Sequence, residues 1–272
     1  SIRLVNGKIE VDAQLKKLAE MYEKETGTKV EIESMGGGID IQGTLKGYYQ
    51  SDNMPDIFVN GSGADFANWT DMLVDMSDQE WASDTDAAYV DESQGTIGFP
   101  YTTEAIGLAY NKDILDAAGV EVPTTWDELT AACEAIKAYD DSIYPWGIDM
   151  TTDEGQAAFA YYTWNNGGGF VDDDGNWTLN SAENVAAIEY AISLVNAGYT
   201  NTDPANDTRY DLQDMFGAGK IAMVIAPNSL PTYIADGGNE VNYGVASIPS
   251  NTGESVYRRR KGSNHNILRL LL

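Results

Sequence analysis

Histidine and cysteine are almost absent from this sequence, which has one of each among 272 residues. The single cysteine, Cys133, excludes a disulfide within the chain, and the alanines around it on a predicted helix favour a buried structural thiol. The single histidine, His265, lies in a C-terminal stretch of unusual composition. Serine or cysteine catalysis with a histidine base is therefore disfavoured, and so is a zinc site with histidine ligands.

Basic residues and long apolar runs are scarce as well. The chain has 16 Lys and Arg against 43 Asp and Glu, a formal net charge of -27. A surface this negative repels nucleic-acid phosphates and anionic membranes, so we expect no nucleic-acid partner and a neutral or cationic ligand. The longest apolar run, residues 221–226, is far too short to span a membrane. Aromatic residues are plentiful, and 16 tyrosines and 6 tryptophans offer flat surfaces for stacking on a neutral ligand.

Short apolar runs alternate along the chain with helical patterns. The predicted strands are residues 2–5, 29–33, 57–59, 106–110, 221–225 and 243–246. Helical spacing places Leu15, Leu18, Ala19 and Tyr22 on one face of a first helix, which ends at Gly27. This alternation predicts an α/β protein built on open parallel sheets.

Two later helices have recognisable starts. Thr125 and Glu128 form a capping box that begins one of them. Ser181 caps the other, which ends at Gly198. The apolar stripe of this second helix is predicted to consist of Val185, Ile188, Ile192 and Val195.

Three glycine-rich segments suggest a nucleotide site or a nucleophile, and each lacks a required residue. Residues 217–220, GAGK, lack the first glycine and the hydroxyl residue of a phosphate loop. Residues 36–38 lack the third glycine of a dinucleotide fingerprint. Residues 61–63 lack the flanking glycines of a nucleophile elbow. The sequence therefore predicts no nucleotide cofactor.

The acidic residues leave two further hypotheses to weigh. Asp172, Asp174, Asn176 and Glu183 have the spacing of a calcium loop, but Trp177 occupies the position that needs glycine. We interpret residues 172–176 as a solvated hairpin tip and predict no metal site. With 43 acids some pair is always close, so an extracellular carbohydrate hydrolase with two carboxylates is kept as the alternative function.

Four segments of the chain together resemble one protein family. They are residues 22–32 (YEKETGTKVEI), residues 55–58 (PDIF) with 72–76 (MLVDM), residues 98–104 (GFPYTTE) with 110–113 (YNKD) and 123–129 (PTTWDEL), and residues 216–223 (FGAGKIAM) with 241–245 (VNYGV). Their order and spacing resemble the family 1 extracellular solute-binding proteins of bacteria, of which maltose-binding protein is the best-known member.

The resemblance implies a two-lobed, type II periplasmic-binding-protein-like fold with a ligand cleft. The lobes are predicted at residues 1–106 and 107–250. It also implies the function: an exported protein without its signal peptide, possibly lipid-anchored, that closes on an oligosaccharide by hinge motion. The expected partners are the sugar and the permease subunits of an ABC transporter, and the full-length protein is expected to be a monomer without cofactor or catalytic residues.

Loops that follow strands are where open parallel sheets bind ligands. With the resemblance added, the predicted ligand-binding residues are Lys8, Glu10, Gly37, Ser62, Glu104, Gln156, Tyr161, Trp164 and Asn228. Glu104 matches a family carboxylate that accepts sugar hydroxyls. Asn228 stands where the maltose-binding relative carries a stacking tryptophan. Tyr161 and Trp164 fall where the family places an aromatic cleft helix, although their i, i+3 spacing suits a core equally well.

The C-terminal stretch departs from the family pattern. Residues 258–272 hold five of the 16 basic residues and no acid. We therefore predict that residues 251–272 are an aberrant tail outside both lobe cores and that the chain is an incomplete version of a longer protein. The first lobe is accordingly expected to be less stable than the second.

Overall fold

The computed structural model describes residues 1–36, 38–60, 64–76, 78–84, 99–102, 105–151, 155–172, 174–254 and 266–270. The strands are β1 (Ile2–Asn6), β2 (Val30–Ser34), β3 (Ile57–Asn60), β4 (Phe99–Thr102), β5 (Ile106–Asn111), β6 (Tyr144–Gly147), β7 (Ile221–Pro227), β8 (Tyr243–Ala246) and β9 (Asn266–Leu270). The helices are α1 (Asp12–Thr26), α2 (Ile41–Gln50), α3 (Ala64–Ala67), α4 (Glu80–Asp84), α5 (Lys112–Ala118), α6 (Trp126–Tyr139), α7 (Gly155–Asn165), α8 (Ala182–Asn196), α9 (Arg209–Gly217) and α10 (Leu230–Asp236).

The chain divides into two compact α/β units. The first unit is Ser1–Glu104 with Arg259–Leu272, and the second is Ala105–Arg258. The division falls two residues before the boundary predicted from the sequence.

The first unit is built on a five-stranded sheet in the order β2-β1-β3-β9-β4. β1 pairs in parallel with β2 and β3, as the strand–helix alternation predicts. One face of this sheet is closed by a core in which Val5, Leu45, Phe58 and Trp69 pack together. Because α1 and α2 connect the parallel strands, all three of these strands end at the same edge of the sheet.

The prediction that the C-terminal tail lies outside the lobes is wrong for its last strand. β9 lies between β3 and β4 and is antiparallel to both, with Ile57 opposite Leu270 and Val59 opposite Leu268. This prediction rests on the basic cluster at residues 258–261, which lies outside the described residues. The apolar run beyond it has the composition that pairs with the open edge of β3.

The second unit has a four-stranded sheet in the order β6-β7-β5-β8. β6 and β7 are parallel, but β5 is antiparallel to both of its neighbours, so a fully parallel sheet is the wrong prediction here. The reason is that the chain enters this sheet through β5 and comes back through β7 to the same edge of the sheet. β5 starts beside Ala105, and β7 ends beside it, since the backbone N–H of Asn228 donates to the Ala105 carbonyl at 2.9 Å.

The core of the second unit is larger and holds Cys133 as predicted. α6 buries Leu129, Ala132, Cys133 and Ile136, and burial raises the pKa of the Cys133 thiol to about 12. The indole N–H of Trp146 donates to the Tyr162 hydroxyl at 2.5 Å within this core. The predicted capping box of Thr125 and Glu128 is present at the start of α6.

Two predicted helix faces need correction. In α8 the buried residues are Asn184, Ala187, Ala191 and Leu194, whereas the predicted stripe members Val185 and Ile192 are exposed. The small alanines allow α8 to pack closely on its neighbours, and the Asn184 amide donates to the carbonyls of Gly169 and Thr178. In α1, Leu18 and Tyr22 of the predicted apolar face are exposed.

The predicted hairpin tip is confirmed by an antiparallel bridge between Val171 and Trp177. The Asp172 carboxylate accepts hydrogen bonds from the backbone N–H groups of Asp174 and Asn176 and from the Asn176 amide. These bonds lower the pKa of Asp172, the side-chain bond from Asn176 most of all. The acidic side chain therefore holds the turn together.

Candidate functional site

The parallel strands of the first unit end in polar residues. β1, β2 and β3 end at Asn6, Ser34 and Asn60. Asn6 and Asn60 are 0% and 1% exposed, although both are amides. Buried polar groups of this kind are retained when hydrogen bonds hold them, and the carboxyl edge of an open sheet is where α/β proteins bind ligands. We call this group of strand ends, with the loops that follow, the first-unit edge.

A hydrogen-bond network fixes the loop after β1. The Asn6 amide donates to the Ser34 hydroxyl at 2.9 Å and to the Lys8 carbonyl at 2.7 Å, and it accepts from the Lys8 N–H at 2.9 Å. Ser34 donates in turn to Asp12 at 2.6 Å. Bonds from Lys16 and then Ser34 lower the pKa of Asp12. The turn carrying Lys8 and Glu10 is therefore held in a defined conformation, and both side chains are partly exposed.

A second network reaches the end of β3. The Trp69 indole N–H donates to the Gln42 carbonyl oxygen at 2.9 Å, and the Gln42 amide donates to Asn60 Oδ1 at 3.0 Å. The Nδ2 atom of Asn60 is buried and has no acceptor among the residues that the structure describes. The sequence predicts the loop after β3 as a binding segment but not this network, because the members of the network come from three separate segments.

An acidic group lies just beyond β3 and was also missed from the sequence. Burial raises the pKa of the Asp65 carboxyl above its ordinary value. The Lys46 ammonium group acts to lower this pKa, and the Asp40 carboxylate acts to raise it. Asp40 caps α2 by accepting from the Gly43 N–H at 2.8 Å, and a Cβ at residue 43 would lie 2.3 Å from the Asp40 carboxylate. The first-unit edge therefore combines carboxylate acceptors, amide donors and a nearby ammonium group.

The second unit has its own polar edge, where β6 and β7 end and β5 begins. Asp149 follows β6 and is 7% exposed; its Oδ1 accepts from the N–H and the hydroxyl of Thr151, both at 2.8 Å. Asn201 accepts from the Ile148 N–H at 2.9 Å and donates to Asp207 at 2.8 Å. The predicted residue Asn228 directly follows β7 and its side chain is exposed.

Two tyrosines at this second-unit edge were not predicted. α9 packs on β7 and leads back into it, so the first residues of α9 lie toward the end of β7. There the Arg209 guanidinium carbon is 5.0 Å from the Tyr210 ring centroid, and Tyr210 is 5.2 Å from the ring of Tyr233. The available sequence signal is a pair of aromatic residues, one at the start of α9 and one in the middle of α10, the two helices that flank β7 in the sequence.

The remaining predicted residues are only partly located. Tyr161 and Trp164 are half-buried and in edge contact, with ring centroids 5.9 Å apart, and Trp164 also contacts Phe170 at 6.1 Å. Trp164 is in the last turn of α7. Its role in ligand binding therefore stays a prediction. Gln156 lies in α7, but its side chain is outside the described residues, as are Gly37, Ser62 and Glu104.

The chain consists of two α/β units with polar side chains at their strand ends, as expected for a two-lobed solute-binding fold. Solved structures show the same fold. The chain superimposes on maltose-bound MalE3 of T. maritima with a TM-score of 0.80 and 22% identity, covering 99% of this chain and 72% of that one. It superimposes on the solute-binding protein RafE in complex with raffinose with a TM-score of 0.73 and 20% identity, covering 99% and 73%.

The sequence matches the bacterial extracellular solute-binding proteins over residues 6–262, and the chain belongs to this family. A binding protein of Brucella abortus is 29% identical over 197 residues, which are 66% of this chain and 48% of that protein. A multiple sugar-binding protein of Streptococcus mutans is 30% identical over 144 residues, 51% of this chain and 34% of that one. The chain thus spans about half the length of these relatives or less.

A longer match covers most of this chain. A maltooligosaccharide ABC transporter solute-binding lipoprotein of Streptococcus pneumoniae is 28% identical over 256 residues, 87% of this chain and 56% of that protein. Within the described part of the chain, no helix is both long and apolar enough to cross a bilayer.

Proposed function

We propose that this protein binds a neutral oligosaccharide outside the cell and presents it to the permease subunits of an ABC importer. Membership of the extracellular solute-binding family supports the class of function. The sugar ligand is supported by relatives described as binding proteins for multiple sugars and for maltooligosaccharides. Export and lipid attachment are part of the same proposal, since the second of these relatives is a lipoprotein.

The observation that carries the proposal is the first-unit edge. A sugar hydroxyl both donates and accepts, so a sugar site needs acceptors and donors side by side. The carboxylate of Asp65 can accept, and the buried amide of Asn60 can donate. The net charge of -27 favours a neutral ligand over an anionic one.

Ligand binding is proposed to act through hinge closure, with the hinge in the chain near Ala105, where the second unit begins. A ligand shifts such an equilibrium only by its differential affinity for the closed state. Small-angle scattering measures the change directly, and the radius of gyration is expected to fall on addition of the cognate sugar. An unchanged radius with saturating sugar contradicts closure while leaving binding intact.

Isothermal calorimetry against maltotriose, raffinose and laminaribiose, followed by chromatography of the recovered sugar, tests the function itself. We expect saturable binding and intact sugar. Cleaved sugar supports the alternative of a hydrolase with two carboxylates. The absence of any heat of binding with all three sugars, together with an unchanged melting temperature of the protein, contradicts the proposal. A ligand that binds the native state raises the melting temperature.

The predicted role of Glu104 gives a residue-level test. Glu104→Gln keeps the shape of the side chain but removes its charge, so sugar affinity is expected to weaken by about 1–3 kcal/mol. Glu20→Gln, an exposed change on α1, serves as the control. Equal affinities of the two variants for the cognate sugar exclude Glu104 from the site.

A further inference from the structure

The hairpin at residues 171–179 carries the most exposed of the large apolar side chains that the structure describes. Trp177 is 77% exposed, Leu179 is 55% exposed and Val171 is 43% exposed. The antiparallel bridge between Val171 and Trp177 places these two side chains on the same face of the hairpin. We call these three side chains the hairpin patch. Single exposed apolar residues are normal in soluble proteins, whereas a group of them indicates an interaction surface.

Hydrogen bonds fix the hairpin to the rest of the second unit. The Thr178 N–H donates to the Phe170 carbonyl at 2.8 Å, and the Thr178 hydroxyl donates to the Gly169 carbonyl at 2.8 Å. Asn184, buried on α8, donates to the carbonyls of Gly169 and Thr178 at 2.8 and 3.0 Å. The backbone beneath the hairpin patch is therefore already ordered, which lowers the entropic cost of binding a partner there.

The surroundings of the hairpin patch are acidic. Residues 138–208, which include the hairpin and α8, hold twelve Asp and Glu residues and neither Lys nor Arg. Asp172 and Asp174 in the hairpin and Glu183 at the start of α8 are exposed. A partner that combines apolar contact with positive charge is therefore favoured at this surface, and a second acidic surface is disfavoured.

The chain itself contains a run of the opposite character. Residues 257–261, YRRRK, combine one aromatic residue with four consecutive cations, a quarter of the 16 Lys and Arg residues of the chain. This run lies outside the described residues. An arginine guanidinium stacks on the face of an indole and pairs with carboxylates through its planar N–H groups. We propose that the hairpin patch is a docking surface for residues 257–261 of a second copy of this protein.

The proposed contact is head-to-tail, because the patch and the basic run are different surfaces. Each pair therefore keeps one free patch and one free run, and association is open-ended. Two copies with a net charge of -27 repel each other, but at physiological ionic strength the Debye length of about 8 Å screens this repulsion beyond the contact. The inference is independent of sugar binding.

A synthetic peptide of residues 254–264 tests the surface, with the full chain labelled and held at a concentration too low for self-association. Trp177→Ala is expected to lower the affinity for the peptide by about tenfold or more, since a central Trp carries much of the binding energy of a contact. Raising the salt concentration is expected to weaken binding further. Tyr139→Ala is the matched control, because Tyr139 is an aromatic residue of the same acidic stretch and is 54% exposed.

Equal peptide affinities of the Trp177→Ala and wild-type chains overturn the inference, because they leave only non-specific attraction to an acidic protein. Trp177 lies at the surface, so its removal is expected to leave the fold and the melting temperature unchanged. A peptide with Glu in place of the four cations is expected not to bind. Equal binding of this acidic peptide also overturns the inference.

Sedimentation velocity of the full chain measures the association itself. The wild-type chain is expected to form species that grow with protein concentration, whereas Trp177→Ala and the double variant Arg258→Glu, Arg259→Glu are expected to stay monomers. Because the first variant keeps the basic run and the second keeps the patch, a mixture of the two is expected to form one-to-one pairs and nothing larger. A wild-type chain that binds the peptide but stays a monomer at every concentration overturns the second copy as the occupant.

Discussion

Helix α1 of the first unit and helix α8 of the second unit both have 15 residues, but they differ in how many of their side chains are buried. α8 buries Asn184, Ala187, Ala191 and Leu194, whereas no residue of α1 is buried. Leu18 of α1 is 57% exposed, although it lies on the predicted apolar face. A helical period in the sequence therefore shows that a helix forms, but not how completely its apolar face is covered.

The same difference extends to the cores. Among the described residues, the first unit has one cluster of buried apolar side chains, around Phe58, and the second has two, around Ile136 and Phe216. Hydrophobic burial is the dominant favourable term in folding and is roughly proportional to the apolar area removed from water. We therefore expect the second unit to be the more stable of the two and the first to lose amide protection earlier in hydrogen exchange.

The largest expected effect separates a buried position from an exposed one. Ile136→Ala removes a side chain that is 0% exposed and leaves a cavity, so it is expected to lower the free energy of unfolding of the second unit by about 2–5 kcal/mol. Leu18→Ala, at a position 57% exposed in the first unit, is expected to change the free energy of unfolding of the first unit by less than about 0.5 kcal/mol. Urea denaturation followed by circular dichroism measures both.

Comparable losses in the two variants would break the comparison, because they would mean that the face of α1 is covered in solution. Hydrogen exchange measured separately over residues 12–26 and 182–196 then shows whether α1 is protected as strongly as α8. Slow exchange throughout α1 in the wild-type protein would point to a contact that protects it.

The second unit also contains an unfavourable position, which sharpens the comparison. Gln213 on α9 is 0% exposed, and neither its amide nitrogen nor its carbonyl oxygen has a partner among the described residues. Gln213→Met has a similar volume and no polar atoms to satisfy, so it is expected to raise the free energy of unfolding by about 1–3 kcal/mol. Gln14→Met on α1, where the side chain is exposed, is the control. A destabilised Gln213→Met protein would show that the glutamine is hydrogen-bonded in solution.

Features encoded by neighbouring residues could be predicted from the sequence. The capping box of Thr125 and Glu128 is one example, since both members lie within a single helical turn. The three parallel strands of the first unit are another, because a βαβ alternation leaves little choice of topology. Fold class and family followed from these local patterns and their order.

Features that depend on distant segments could not be predicted. The pairing of β9 with β3 joins residues about two hundred positions apart, and the composition of the tail argued against it. The chain from Trp69 through Gln42 to Asn60 needs three elements to meet at one edge of the sheet. The burial of Asn184 on α8 could not be predicted, because an amide side chain is typical of an exposed position unless its carbonyl partners are known.

The smallest expected effect is a pH dependence of the first unit that comes from Glu33. Burial on its own acts to raise the pKa of this carboxyl, but hydrogen bonds from Tyr48 and from Arg3 outweigh it, and the pKa lies below its ordinary value of 4.5. Arg3 donates to Glu33 at 2.7 Å and also lies over the Tyr48 ring, 4.5 Å from its centroid. The charged form of Glu33 is therefore favoured in the folded state.

A pKa that is lower in the folded state than in the unfolded state stabilises the protein only above the unfolded value. The contribution of Glu33 is thus fully present at neutral pH and is lost as the pH falls from about 4.5 through the folded pKa. Because the Arg3 and Glu33 side chains are 26% and 36% exposed, the contribution is expected to be at most about 1 kcal/mol. In urea denaturation between pH 3 and pH 7, Glu33→Gln should lower stability at pH 7 and converge with the wild-type protein at pH 3. Glu20→Gln, exposed on α1, should follow the wild-type curve, and a Glu33→Gln curve parallel to the wild type at all pH values would mean that the ion pair adds nothing to the stability of the first unit.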